Sequence, residues 1–356
     1  MNHSGMGFRV SRSGVRGPGS EKSGLHNSDP GSRTPVPDTR YPMPDMRVRL
    51  RDVEFKNPVL VASGTFGYGS EARAYCNIEQ LGGVVTKSVS WKPRTGNHPH
   101  RIIETASGML NSIGLANVGV HAFVKEKLPY LAQFDTKIIA NIAASSMEEY
   151  RDVLEHIEEH AVQNLAGYEI NISCPNVKDG GLSFGTSVER TEELTGLLRQ
   201  STDRLLIIKL TPNVTSVAPF AQAAERAGAD AISLINTLVG MAVDIRAREP
   251  RLSTVTGGLS GPAIKPIALA KVYEARKSCS IPIIGIGGIT QAEDALEFLV
   301  VGATMVQVGT ANFVYPDAGV QVAEGMENFL RSEGIASVQE LVNSLRIRAE
   351  LKAAGW

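Results

Sequence analysis

The sequence holds little of what would make a secreted, metal-clustered, nucleic-acid-binding or membrane protein. Only three cysteines occur in 356 residues, Cys76, Cys174 and Cys279, and their scatter excludes a disulfide framework or a metal cluster with paired ligand spacing. Neither sign of charge is in excess: 36 Lys and Arg against 37 Asp and Glu leave a net charge of -1, which offers no attractive field to nucleic acid or anionic lipid. No run approaches the ~18 apolar residues of a membrane-spanning helix, and the N-terminus lacks the apolar centre of a secretory signal. An early Gly-x-Gly-x-x-Gly turn of the dinucleotide-binding kind is also missing. The expectation is a soluble, cytoplasmic protein with small-molecule partners, no nucleic acid and no membrane.

What is present is ordinary globular material, 42% hydrophobic and 21% charged. Residues 1–45 differ from the rest, being rich in Gly, Ser, Pro and Arg without apolar periodicity, and are expected to form a disordered tail. Arg9, Arg12 and Arg16 without a nearby acid suit a transit peptide, but Gly14, Gly17, Pro18 and Gly19 break the amphipathic helix such peptides need. A mis-assigned start, with Met43 or Met46 as the true beginning, is the competing expectation.

From residue 46 to 356 short β-branched runs alternate with helical patterns, the mark of βα units around a parallel sheet. A small hairpin at 48–55 precedes eight such runs: VLVAS (59–63), VVTKS (84–88), KIIANIA (137–143), GYEINIS (167–173), LLIIKL (205–210), AISLIN (231–236), IPIIGIGG (281–288) and TMVQVGT (304–310). Helices are predicted over 147–163, 188–198, 217–227 and 291–301. Eight units in this length predict a closed (β/α)8 barrel of the TIM type, with an open doubly wound sheet as the alternative. Two over-long connections, 91–117 and 238–264, follow strand C-termini, on the face where barrels build active sites.

The polar residues of the runs cluster at their C-terminal tips: Ser63, Lys87, Asn141, Asn171, Cys174, Lys209, Asn236 with Thr237, Gly287 with Gly288, and Gly309 with Thr310. The Gly-rich loops 285–289, 306–311 and 257–261 suit a phosphate held by backbone N–H groups and helix N-termini, although such turns also simply close tight connections. Lys87 and Lys209 end apolar strands and suit anionic charge on a substrate or a reduced cofactor ring, against the plainer reading of a snorkelling lysine. The asparagines match a flat heterocycle with amide edges, though asparagine is also a common turn former. Cys174 precedes Pro175, which favours an extended loop over a helix. A thiolate favoured by nearby cations can take a proton or attack an electrophile. No histidine accompanies it in the motif. The seven histidines show no ligand partner at the strand ends, so no metal is expected.

The segments ASGTFGYG (62–69), TKS (86–88), NSIGLAN (111–117), NISCPN (171–176), KLTPN (209–213), INT (235–237), GGLSGPAIKP (257–266), GIGGI (285–289) and VGTA (308–311) jointly resemble class 1 dihydroorotate dehydrogenases, particularly the B-type catalytic subunit. The resemblance implies FMN with its phosphate on Gly287, Gly288, Gly309 and Thr310, helped by Gly261. It places Ser63, Lys87, Ser88, Asn141, Asn171, Lys209 and Ile235 along the rest of the flavin. Dihydroorotate or orotate would be gripped by Lys87, Asn111, Ser112, Ile113, Gly114, Leu115, Asn171, Asn236 and Thr237, with Cys174 as the base. The same resemblance implies a homodimer core in a heterotetramer with a partner subunit that carries FAD and a [2Fe-2S] cluster and passes electrons to NAD+. An A-type homodimer using fumarate and the flavin domain of a dihydropyrimidine dehydrogenase stay open. tRNA-dihydrouridine synthases carry a related cysteine loop, but neither a basic charge excess nor room for an RNA-binding domain is present here. A non-catalytic phosphate-binding scaffold would have lost the lysine, asparagine and cysteine set.

Overall fold

The computed structural model describes residues 42–173 and 184–348, all within one unit of the chain, Asp38–Trp356. The expected tail lies outside the described residues except for 42–45. There the backbone is already anchored: the N–H of Asp45 donates to the Ala336 carbonyl at 2.8 Å, and its carbonyl accepts from Val338 at 3.0 Å.

All eight predicted runs close into one barrel. Its strands in chain order are Val59–Val61, Gly83–Val85, Lys137–Ile142, Leu165–Asn171, Leu205–Lys209, Ala231–Leu234, Ile283–Ile286 and Met305–Val308. Every neighbouring pair is parallel, and closure comes where the eighth strand pairs with the first, Val306 opposite Val59. Closure removes the open sheet from consideration, because no strand edge is left unpaired. The strands are buried on both faces, which is why they read as near-continuous apolar runs. The antiparallel hairpin Val48–Leu50 and Val53–Phe55 lies at the N-terminal end of the strands. A groove of about 840 Å³ there is lined by Asp52, Lys137, Arg199 and Arg204, and its arginines are already committed, Arg199 to Asp230 and Arg204 to Glu158.

The outer helices follow from capping and periodicity. Helix Met147–Glu158 starts where the Ser146 side chain accepts from the Glu149 N–H, and it buries Tyr150, Val153, Leu154 and Ile157, one face at helical spacing. It stops five residues before the predicted end, because the chain must turn at Asn164, whose amide bonds the carbonyls of Leu131, Phe134 and Thr136. The helices Val188–Arg199, Ala218–Arg226 and Ala292–Val301 match their predicted spans within a residue at each end. Among the described residues no helix is long and apolar enough to cross a membrane.

The two over-long connections are not independent loops. Ile102–Thr105 and Gly108–Asn111 from the first pair with Gly257–Ser260 and Leu238–Gly240 from the second, in one four-stranded antiparallel sheet. Gly258 stands opposite Asn111 and Ser260 opposite Met109. A small apolar cluster of Ile103, Leu110 and Leu252 supports it.

On the outer wall, Trp91 packs edge-on against His121 and His156. His121 Nδ1 lies 3.1 Å from His156 Nε2, and His156, Glu159 and His160 bring ligand-type atoms within 4.8 Å of one another. Burial, followed by the charges of His121 and His160, lowers the pKa of His156 from 6.5, while Glu159 opposes the shift. The unfolded chain therefore binds the proton more readily than the fold does. The neutral ring's contribution to stability is complete above pH ~6.5 and is lost as pH falls towards the lower folded value. Thermal melts between pH 7 and pH 5 are expected to show a smaller acid-induced fall for His156→Gln than for the wild type. Equal slopes would remove His156 from the acid response.

Candidate active site

The C-terminal tips of the barrel strands carry a connected polar group inside an otherwise apolar wall. Glu169, in the fourth strand, is fully buried at 0% exposure and accepts four hydrogen bonds. Oε1 takes the Asn141 amide at 2.7 Å and the Lys209 ammonium at 3.2 Å, and Oε2 takes Ser233 Oγ at 2.9 Å and the Gln307 amide at 2.6 Å. The register explains the convergence: Asn141 is opposite Glu169, Asn171 opposite Lys209, and Ser233 opposite Lys209 on its other side. With a period of two along each strand, these side chains point the same way, into the barrel.

Lys209 is 5% exposed, and its ammonium also reaches Ser63 Oγ at 3.3 Å. Ser88 donates to Asn141 Oδ1, so the amide of Asn141 is oriented from both ends. At the next level the Asn236 amide donates to Asn171 Oδ1 at 3.1 Å, and the Tyr150 hydroxyl, on the helix after strand three, donates to the Asn171 carbonyl at 2.7 Å. Ser63, Asn141, Asn171, Lys209 and Asn236 of the strand-tip pattern are thus brought together, and Ser88, which the resemblance added, joins them through Asn141. Lys87 is half-buried at the end of strand two, and its ammonium has no hydrogen-bond or ion-pair partner among the described residues. Ile235 is 2% exposed, and its N–H donates to the Ile286 carbonyl at 3.0 Å. Cys174, and with it Asn176, lies outside the described residues.

The segment 111–115 forms one wall. Asn111 donates to the Gly258 carbonyl at 3.3 Å. The Ser112 N–H donates to Arg101 at 2.8 Å, the Ile113 carbonyl accepts from Asn97 at 3.0 Å, and the Ser112 carbonyl accepts from the Asn97 side chain at 2.9 Å. Gly114 at φ 74° and Leu115 at φ 56° turn the chain through left-handed backbone, which for a leucine is strain held by its surroundings. Ser112 Oγ is buried without a hydrogen-bond partner among the described residues. Thr237 presses against the Gly258 backbone, where a Cβ would come 2.2 Å from Thr237 Oγ1.

Joined to the same inserted sheet through Gly261 and Ser260 is a cradle of unused donors. None of the N–H groups of Gly287, Gly288, Gly309 and Thr310 has an acceptor among the described residues. Gly288, at φ 73°, sits so close to the start of helix Lys265–Ser278 that a Cβ would meet the Lys265 nitrogen at 2.9 Å. Gly261, at φ 94°, backs onto Gly108, 2.6 Å from where its Cβ would be. Thr310 Oγ1 donates to Ser260 Oγ at 2.8 Å, which ties the last strand tip to the inserted sheet. Free N–H groups beside a helix N-terminus make an anion site. Combined with a buried ammonium, fixed amides and an orphaned serine hydroxyl, the residues fit a phosphorylated planar cofactor such as FMN.

Sequence reasoning missed Glu169, Ser233, Gln307 and Ser260. A signal for two of them was available: Glu169 and Gln307 interrupt apolar strands at the positions that alternate onto the tip-bearing face. Their convergence was not readable without the register.

A family model described as dihydroorotate dehydrogenase matches residues 45–330. The chain is 52% identical over 295 residues to a protein of Geotalea daltonii named dihydroorotate dehydrogenase B (NAD(+)), catalytic subunit, covering 83% of this chain and 96% of that one. It is 52% identical over 293 residues to a protein of the same name from Geotalea uraniireducens, covering 82% and 95%. A solved structure of DHODH from Eimeria tenella, in complex with ferulenol, matches with TM-score 0.70 at 21% identity, over 87% of this chain and 90% of that one. At that identity the structural likeness speaks for the fold.

The cradle's strain makes a stability prediction. Gly288→Ala combines a left-handed φ with a Cβ 2.7 Å from Lys265 Cβ and is expected to cost about 1–3 kcal/mol in urea unfolding. Gly196→Ala, inside helix Val188–Arg199 with nothing within 4 Å, is expected to stabilise by up to about 1 kcal/mol. Equal effects would show that crowding at the cradle does not select glycine.

Proposed function

The chain belongs to the dihydroorotate dehydrogenase family, and from that premise we propose that it is the catalytic subunit of an NAD+-linked enzyme that oxidises (S)-dihydroorotate to orotate in pyrimidine biosynthesis. It works in the cytoplasm as one FMN-binding barrel, residues 46–356, after a tail at 1–45. The observation that carries the site assignment is the pairing of an unfilled N–H cradle with a buried lysine and amide group at the same end of the barrel.

Gly287, Gly288, Gly309 and Thr310, with Gly261, hold the FMN phosphate. Ser63, Lys87, Ser88, Asn141, Asn171, Lys209 and Ile235 hold the ring system. Bound there, FMN supplies the acceptor for the hydride leaving C6 of dihydroorotate. With FMN bound, the desolvated Lys209 ammonium would stabilise negative charge on the ring system, in surroundings where electrostatic stabilisation is stronger than in water. Lys87, which has no carboxylate partner of its own among the described residues, is available to neutralise the substrate carboxylate. Asn111, Ser112, Ile113, Gly114 and Leu115 present backbone and side-chain polar atoms to the substrate from the inserted wall, and Asn171, Asn236 and Thr237 do so from the strand tips. Cys174 takes the C5 proton.

Three scattered cysteines offer no ligand set for an iron–sulfur cluster, and a second chain for the electrons is inferred from the relatives' designation as catalytic subunits. A homodimer of this subunit joins a partner that carries FAD and a [2Fe-2S] cluster, where NAD+ is reduced. The relatives' designation as NAD(+)-linked catalytic subunits supports this arrangement over a fumarate-dependent homodimer or a dihydropyrimidine dehydrogenase.

Under anaerobic conditions the purified chain is expected to show flavin absorbance that bleaches on adding dihydroorotate; a flavin that stays oxidised would turn the assignment towards another substrate. Cys174→Ala is expected to retain FMN and lose about 100-fold or more in the rate of flavin reduction by dihydroorotate, the scale of a lost general base. Reduction at the wild-type rate would remove Cys174 from the proton transfer.

A further inference from the structure

Glu169 is an unusual occupant of a barrel interior, where branched apolar side chains are the rule. An interior ion pair is at best about even with apolar packing of the same volume, because both charges lose their water. Stability alone therefore gives no reason for it. Direct chemistry is excluded as well: a carboxylate offers about four lone-pair sites, and Asn141, Lys209, Ser233 and Gln307 occupy all four. Its exposure is 0%, and it lies one pleat repeat below Asn171 on the same strand, so no substrate atom reaches it.

Its donors divide into two pairs. Ser233 and Gln307 hold Oε2 from strands six and eight and fix the carboxylate. Asn141 and Lys209 hold Oε1 and continue upward, Lys209 to Ser63 at 3.3 Å and Asn141 to Ser88. Turning the Asn141 amide over would set its oxygen against the carboxylate and its nitrogen against the serine hydroxyl that now donates to it.

We propose that Glu169 is the positioning residue of the flavin site, holding the Lys209 ammonium and the Asn141 amide in the orientations in which they meet the cofactor. The proposal rests on the FMN reading above and deepens it. Glu169 acts through Lys209 and Asn141, never on the substrate.

The test is a double-mutant cycle read by FMN affinity, titrating FMN into the deflavinated full-length chain and following the quenching of its fluorescence. Glu169→Gln is expected to weaken FMN binding about tenfold or more, the scale of a lost charge-assisted hydrogen bond. Lys209→Met is expected to weaken it comparably. The double variant leaves no buried charge, and is expected to bind no more weakly than Lys209→Met alone. The midpoint potential of the bound flavin should likewise shift with Glu169→Gln by different amounts in the Lys209 and Lys209→Met backgrounds, because only in the first does the substitution also release the ammonium. Ser233→Ala, which loosens the carboxylate without touching its charge, gives a milder version, expected at about two- to fivefold from one lost neutral hydrogen bond. Losses that add across the cycle, or an equal potential shift in both backgrounds, overturn the positioning role. Wild-type affinity in both Glu169→Gln and Ser233→Ala overturns it too, with the FMN reading intact. A wild-type chain that takes up no FMN overturns both readings together.

Discussion

A carboxylate without water organises the upper end of this barrel. The desolvation of Glu169 must be offset by every donor its two oxygens can take, since an unpaired buried charge costs several kcal/mol. Four strands each contribute one donor: Asn141 from the third, Lys209 from the fifth, Ser233 from the sixth and Gln307 from the eighth. The relative heights of those strands are thereby fixed against one another as well as by their backbone ladders. The same requirement aims Lys209 and Asn141 at the mouth, so the demand for satisfaction inside the core becomes orientation at the site.

The two insertions obey a related constraint. Neither connection has enough apolar surface to fold alone, and each leaves backbone donors that need partners. By pairing Met109–Asn111 with Gly258–Ser260, they share one sheet and one small core of Ile103, Leu110 and Leu252. The consequence is functional. The segment carrying Asn111 to Leu115 is joined to the one carrying Ser260 and Gly261, and through Thr310 to the tip of the last strand. The two ends of the site are therefore mechanically connected, the donor cradle on one side and the left-handed turn at Gly114 and Leu115 on the other.

Much of this was legible beforehand. The eight apolar runs fell on the eight barrel strands, because a strand buried on both faces must be apolar for its whole length. The helix starts at Met147 and Val188 followed from the apolar pattern, and the structure shows a serine cap at each, Ser146 and Ser187. The tip residues Ser63, Asn141, Asn171, Lys209 and Asn236 stood out as polar groups ending apolar runs, and they do converge. The end of helix Met147–Glu158 was misjudged, since a tertiary contact at Asn164 ends the pattern and no local signal does. Glu169 and Gln307 were passed over as interruptions of otherwise good strands, because their partners are 28 to 138 residues away in sequence.

The sequence by itself determined the barrel, its order of units and the chemical types gathered at its mouth, since periodicity and composition are local properties of the chain. Only the tertiary structure decided which of those groups are bound to one another. Hydrogen-bond satisfaction depends on strand register and closure, and these are set by the whole barrel at once. Glu169 became the centre of the site through that closure, and the paired insertions became a single wall for the same reason.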